Sequence, residues 1–263
     1  MLNNEKIIKV LKNVNNEIKA KGSQCSVSGN NYEKNIYNIV KNCFINKKLF
    51  NTQKEENLGR SSCKNDINCN FVDKEDIGIE IKKYNTPDWM QCSIKYDTIT
   101  NIWKPTTKGK NSQLCIDIFT KLINNLNLYD GCIPPFMKQP LTHEEWINIK
   151  KNTNKWDDKY IDIPSDTIYK LYQSKGCKYI QISNGYGLYH LGNDTCDFNV
   201  PLFDIEQHLR IRTKIHNKKN IKGYCNLSVT IACHPKNITN FIHSKYSLDN
   251  INKLPSNLLY YNQ

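Results

Sequence analysis

The sequence predicts an α/β chain of the α+β kind: a mixed β-sheet core flanked by helices, with a β-rich C-terminal part. Three patterns predict it. Apolar residues recur at helical spacing near the N-terminus, they alternate with period two around residues 66–83, and short alternating runs follow one another between residues 179 and 233. With 263 residues the chain can bury one elaborated core. The change in character at residue 128 suggests two parts: a core with N-terminal helices over 1–127, and a β-rich part packed on it over 128–263.

Residues 4–20 read as an amphipathic helix, with Ile7, Ile8, Leu11, Val14 and Ile18 on one face and Gly22 closing it. Ser28-Gly-Asn-Asn opens a second helix over about 31–45, on which Glu33, Ile36, Tyr37 and Val40 share a stripe. Residues 46–62 are polar and loop-like. Residues 66–71 and 77–83 then form a hairpin about a turn at 72–76. Thr86-Pro87-Asp88 has the chemistry of a helix start, and the helix predicted from it carries Trp89, Gln91 and Ile94. A further helix over about 111–127 places Leu114, Ile118, Leu122 and Ile123 on its apolar face. Thr142-His-Glu-Glu145 is a capping box before a short helix, and Pro164-Ser-Asp166 starts another that runs to Ser174. Strands are expected at 179–183, 188–191, 206–216 and 224–233.

Thirty-seven Lys and Arg against 25 Asp and Glu give a net charge of +12, which favours a polyanionic partner, nucleic acid first. Part of that charge follows codon bias: 34 Lys, 37 Asn and 32 Ile share AT-rich codons, and there are three Arg. Arg60, Arg210 and Arg212 are therefore more informative than any lysine. The mean hydropathy is −0.65, and no apolar run approaches the ~18 residues of a membrane span. The N-terminus lacks a signal-peptide apolar region, so an intracellular protein without a membrane partner is expected. Eleven cysteines, an odd number with no C-x-x-C pair, argue against a disulfide scaffold or a zinc ribbon.

The segment that carries chemistry is Asn65-Asp66 with Glu80-Ile81-Lys82. On a strand, Glu80 and Lys82 leave one face while Ile79 and Ile81 enter a core on the other. Asp66 begins the neighbouring strand, so the hairpin brings its carboxylate beside Glu80. Two carboxylates hold a hard cation, and an adjacent lysine can orient water or offset charge on a phosphorane. Glu-x-Lys alone is uninformative in this composition, and Glu17-Ile-Lys19 is a second copy. The apolar strand frame IGIEIK sets the copy at 80–82 apart.

A helix glutamate, a strand aspartate and an acid-x-lysine strand, in that order, resemble the PD-(D/E)XK nuclease superfamily, the restriction-endonuclease-like fold, over about residues 25–127. The resemblance implies that Asp66 and Glu80 bind Mg²⁺ (with Mn²⁺ as a substitute), with the Ile81 carbonyl as a further ligand and Lys82 as the catalytic lysine. Glu33 would match the supporting helix acid, and Gln91 resembles a glutamine that some members place near the site. Asn65 stands where the motif proline would be. Gln91 and Tyr96 are one residue too far apart for the Gln-x-x-x-Tyr pattern of RecB-like members.

In the second half, Arg210, Arg212, Lys214 and His216 alternate with Leu209, Ile211, Thr213 and Ile215, so a strand there has one basic face. With Arg60 and Lys83, these residues are candidates for nucleic-acid contact. The rings of Tyr179, Tyr186, Tyr189 and Trp156 suit stacking on flipped bases and equally suit core packing. The function expected is a metal-dependent deoxyribonuclease cutting double-stranded DNA as an endonuclease, for which paired cuts favour a homodimer. The alternatives are a non-catalytic nucleic-acid-binding protein that keeps the fold, and a structural or virion-associated protein.

Overall fold

A computed structural model describes residues 27–50, 64–69, 76–106 and 111–261. The helix expected over 4–20, most of the turn expected at 72–76, and Arg60 lie outside the described residues. In chain order the elements are α1 (27–40), β1 (Cys43–Ile45), β2 (Lys48–Leu49), β3 (Ile67–Cys69), β4 (Ile77–Lys82), β5 (Met90–Asp97), β6 (Ile102–Pro105), α2 (Gln113–Asn124), α3 (Pro135–Lys138), α4 (His143–Lys151), β7 (Lys159–Ile163), α5 (Thr167–Gln173), β8 (Cys177–Ile182), β9 (Gly187–His190), β10 (Gln207–Asn217), β11 (Asn226–Pro235) and β12 (Leu259–Tyr260). No helix among the described residues is long and apolar enough to cross a membrane.

The chain is mixed α/β. Its strands form a four-stranded sheet β3-β4-β8-β9, a five-stranded antiparallel sheet β6-β5-β11-β10-β7 and a small sheet β12-β1-β2. Each draws strands from both sides of residue 127, since β4 pairs with β8, β5 with β11 and β1 with β12. The β4–β8 pair is parallel, and a parallel pair needs a long crossover. Residues 83–176 supply it, and they carry α2, α4, α5 and three strands of the second sheet.

Strand alternation sorts the side chains into two cores. Ile77, Ile79 and Ile81 of β4 join Ile36, Tyr37 and Val40 of α1, so the helical stripe expected on α1 meets the apolar face expected on β4. Ile180 and Ile182 of β8 belong to the other core, with Phe119 of α2 and Ile211 and Ile231 of the large sheet. The Thr142 capping box is present, its hydroxyl accepting from Glu145 N–H and the Glu145 carboxylate from Thr142 N–H.

Three sequence expectations are corrected. The helix predicted from Thr86-Pro87-Asp88 is strand β5. Met90, Cys92 and Ile94 are buried while Gln91 and Lys95 are exposed, a period of two. The Trp89 N–H starts its ladder on the Cys233 carbonyl, and the Trp89 indole N–H takes the Thr86 carbonyl. Second, α1 ends at residue 40, and residues 43–45 form β1. Third, α2 buries Cys115, Phe119 and Ile123 and leaves Leu114 exposed, so its apolar stripe is rotated from the expected one.

Gly78 is where β4 comes closest to its surroundings. Its N–H donates to the Gly176 carbonyl at 3.2 Å, and a Cβ there would run into that carbonyl oxygen and the Asn65 side-chain nitrogen. Gly78→Ala is expected to cost about 1–3 kcal/mol in urea unfolding. Gly29→Ala, on helix α1 with open space around it, should be neutral or stabilising by up to ~1 kcal/mol. Equal effects at the two positions would contradict the close approach.

Candidate functional site

β3 and β4 pair antiparallel with Ile67 opposite Ile79. This register sets Asp66, just before β3, beside the C-terminal half of β4. The Asp66 N–H donates to the Ile79 carbonyl at 3.1 Å, and its Oδ2 accepts from Ile81 N–H at 2.8 Å. In a strand the N–H and C=O of one residue lie on the same edge, so the Ile81 carbonyl faces the side on which Asp66 lies. Glu80 and Lys82 share the face opposite Ile79 and Ile81. Lys82 Nζ stands 2.6 Å from Glu80 Oε1 and 3.9 Å from Asp66 Oδ2, so one ammonium touches both carboxylates.

Glu80 is not on a solvated face: its side chain is 2% exposed. A second ammonium, Lys175 Nζ, reaches its Oε2 at 2.8 Å and is itself 4% exposed. The Tyr172 ring lies under both lysines, 5.6 Å from Lys82 Nζ and 5.4 Å from Lys175 Nζ. Lys175 precedes β8 and Tyr172 is on α5, so the parallel β4–β8 pairing brings them to the motif across the long crossover. Sequence reasoning missed both, because nothing local to residues 172–175 marks them.

The charges at this centre are unequal. Burial would raise the Glu80 pKa, but Lys82 and Lys175 outweigh it and hold the carboxyl below its usual range. Burial and then the Glu80 charge push Asp66 up to about 6. Glu33, on α1, is pushed up to about 7 by burial and by Asp66. Lys82 stays charged, since burial alone would lower its pKa and Glu80, with Asp66, raises it well above the usual value. Glu33, Ile81, Lys82 and Lys83 line one cavity of about 250 Å³ with Gly29, Asn30, Tyr32 and Thr86. Behind it, Tyr32 OH donates to Asp249 Oδ2, and buried Gln181 bonds Tyr32 OH, Ser247 Oγ and Leu248 N–H. These bonds anchor α1 against β8.

Asp66, Glu80, Lys82 and Glu33 are thus brought together electrostatically. Gln91 is not among the cavity residues: it is exposed on β5, registered against Ala232 of the other sheet, because its segment is a strand. Lys83 borders the cavity and donates to Ser28 Oγ at 2.6 Å. Arg210 lies on β10, 3.2 Å from Asp88 and 2.6 Å from Asp158, and Arg212 is 2.8 Å from Asp88. Lys214 projects from the same face of β10. Trp156, Tyr179, Tyr186 and Tyr189 are all buried, so their rings serve packing.

The donor set fits a hard divalent cation. Asp66 and Glu33 are carboxyls raised first by burial and then by a neighbouring carboxylate, Glu80 for Asp66 and Asp66 for Glu33, and carboxylate oxygens are the ligands such a cation takes. The described residues contain no group of three or more His, Cys, Asp or Glu placed to hold a metal ion. Mg²⁺ needs none, since one or two carboxylates with water and phosphate oxygens suffice. Compared with known protein families, curated proteins and solved structures, the chain matches none.

A carboxyl whose folded pKa is raised binds its proton more tightly in the folded state. It therefore takes stability away as pH rises from its unfolded pKa through its folded one. For Glu33 that window runs from about 4.5 to about 7. Wild type is expected to lose urea stability between pH 5 and 7.5, and Glu33→Gln to lose less. Parallel pH profiles for the two proteins would contradict the assignment.

Proposed function

We propose that this protein is a metal-dependent nuclease of the restriction-endonuclease-like kind that cuts DNA internally, with Asp66 and Glu80 as metal-binding acids and Lys82 as the catalytic lysine. The observation that carries the reading is the meeting of Asp66, Glu80 and Lys82 at the end of β4, one ammonium touching both carboxylates. Glu33 on the neighbouring helix and the Ile81 carbonyl on the Asp66 edge fit the same scheme. Bound there, Mg²⁺ or Mn²⁺ would polarise the phosphate and acidify a water. The chain's own residues do the rest. Lys82 keeps its proton and can orient the attacking water or offset charge on the phosphorane. Ile81 N–H fixes the Asp66 carboxylate, and Lys175 keeps Glu80 ionised although it is buried.

One observation favours a second reading, a nucleic-acid-binding protein without catalysis. Each Glu80 oxygen already has an ammonium partner, an arrangement that is complete without a metal. The net charge of +12 supports double-stranded DNA as partner under both readings.

The deciding measurement is cleavage of supercoiled plasmid with Mg²⁺, with Mn²⁺ and with EDTA. Wild type is expected to nick or linearise in either metal. Asp66→Asn and Lys82→Ala should each lower the rate at least ~100-fold, the scale of losing one transition-state group. No cleavage by folded wild type in either metal selects the second reading. DNA affinity tests the β10 face separately. Arg210→Ala with Arg212→Ala should weaken binding and make its salt dependence shallower, by about one unit of slope for each phosphate no longer neutralised. An unchanged slope removes that face from the interface.

A further inference from the structure

Beside the candidate centre lies a row of three aromatic rings. Tyr84 follows Lys82 by two residues, at the point where β4 ends, and its N–H donates to Ser183 Oγ at 3.1 Å. Its ring stacks on Tyr186, with centroids 6.1 Å apart and an interplanar angle of 29°. Tyr186 in turn stacks on His243 at 4.3 Å and 29°. The bridging ring is buried, while Tyr84 is 38% exposed and His243 is also exposed. The row is stiffly held: His243 Nδ1 is bonded to the Gly185 carbonyl, and Ser244 N–H donates to the Tyr186 carbonyl.

Tyr84 is partly exposed, as Tyr160, Tyr224 and Tyr261 are, whereas Tyr179 and Tyr189 are fully covered. Its place in the chain, two residues after Lys82, sets it apart from the other exposed tyrosines. In the chain Tyr84 lies between Lys82, Lys83 and Thr86, which line the cavity of the candidate centre. Lys245, exposed and packed over the Tyr246 ring at 4.8 Å, belongs to the segment that carries His243. A partly exposed ring on the turn that directly follows Lys82 and Lys83 matches the chemistry of one nucleotide, a flat base joined to an anionic phosphate. A base inside continuous duplex has both faces occupied by its neighbours, so only an unpaired or unstacked base can use the ring.

We propose that Tyr84 stacks on the base of an unpaired nucleotide adjoining the scissile phosphate, and that the preferred substrate is DNA carrying an unpaired nucleotide, as in a gap, flap or frayed end, over continuous duplex. This rests on the nuclease reading for the word scissile, but the stacking itself is measurable without cleavage.

The test uses the full chain in EDTA, with fluorescently labelled gapped and fully paired duplexes of one sequence, and with 2-aminopurine at the unpaired position. Wild type should prefer the gapped DNA and quench 2-aminopurine. Tyr84→Leu, which keeps bulk and removes the π-face, should lose roughly 5- to 150-fold in affinity for the gapped DNA and lose the quenching. Tyr84→Phe should keep both, and binding to paired duplex should change less than about twofold. Gapped-DNA affinity unchanged in Tyr84→Leu, or equal losses on both DNAs, overturns the proposal. Cleavage with Mg²⁺ is scored in parallel. Cleavage together with ring-independent binding rejects the stacking and keeps the nuclease, whereas ring-dependent binding by a protein that never cuts keeps the stacking and rejects the nuclease.

Discussion

The ion cluster on Glu80 is the constraint to which much of the fold answers. A carboxylate buried in a sheet is strongly destabilising unless it is paired and hydrogen-bonded. Here Lys82 takes one oxygen and Lys175 the other. Removing either lysine would leave a buried charge half compensated, a loss on the order of 3–5 kcal/mol for fully buried pairs. The pairing also fixes topology, because Lys175 reaches Glu80 only if the chain returns to β4 in parallel through β8. The Gly78 contact with Gly176 serves the same end, since neither residue carries a Cβ to hold β4 off the turn that carries Lys175. Hydrophobic burial is non-directional and could be met by several registers, whereas this cluster is satisfied by one.

What is legible in the sequence follows locality. The IGIEIK strand, the capping box at Thr142, the stripe on α1 and the long strands β10 and β11 declare themselves within a few residues, through period or cap chemistry. The meeting of Asp66, Glu80 and Lys82 is also legible, because a hairpin is a local structure and strand parity fixes which side chains share a face. β5 misleads for a physical reason. Thr-Pro-Asp is good helix-start chemistry, but the following residues alternate in burial, and tertiary pairing with β11 outweighs the local signal. The Trp89 indole then takes the Thr86 carbonyl that a helix would have used.

What stays hidden is non-local. Lys175 lies 95 residues from Glu80, and one lysine among 34 carries no mark of being buried. The same holds for Tyr172 and for the Gln181, Ser247 and Asp249 bonds that hold α1. Arg210 and Arg212 share one face of β10, as their alternation predicts, but their ion pairs with Asp88 and Asp158 come from other segments. These pairs make that face less basic than its sequence suggests. A phosphate reaching Arg210 or Arg212 must compete with carboxylates already in place.

The location of the cavity follows from the parallel β4–β8 pair. Sheets with parallel strands leave a crevice beyond the carboxyl ends, where the chain departs in opposite directions. β4 ends at Lys82 and β8 at Ile182, side by side in register. From that edge the chain turns away through Tyr84 and Thr86 on one side and through Tyr186 on the other, and α1 closes the third side with Tyr32 and Glu33. The strand ends thus supply charge that is fixed and buried, while the turn after β4 carries the half-buried Lys83 and the more exposed Tyr84. A buried centre of paired charges and a more exposed rim are therefore two consequences of the same strand pairing.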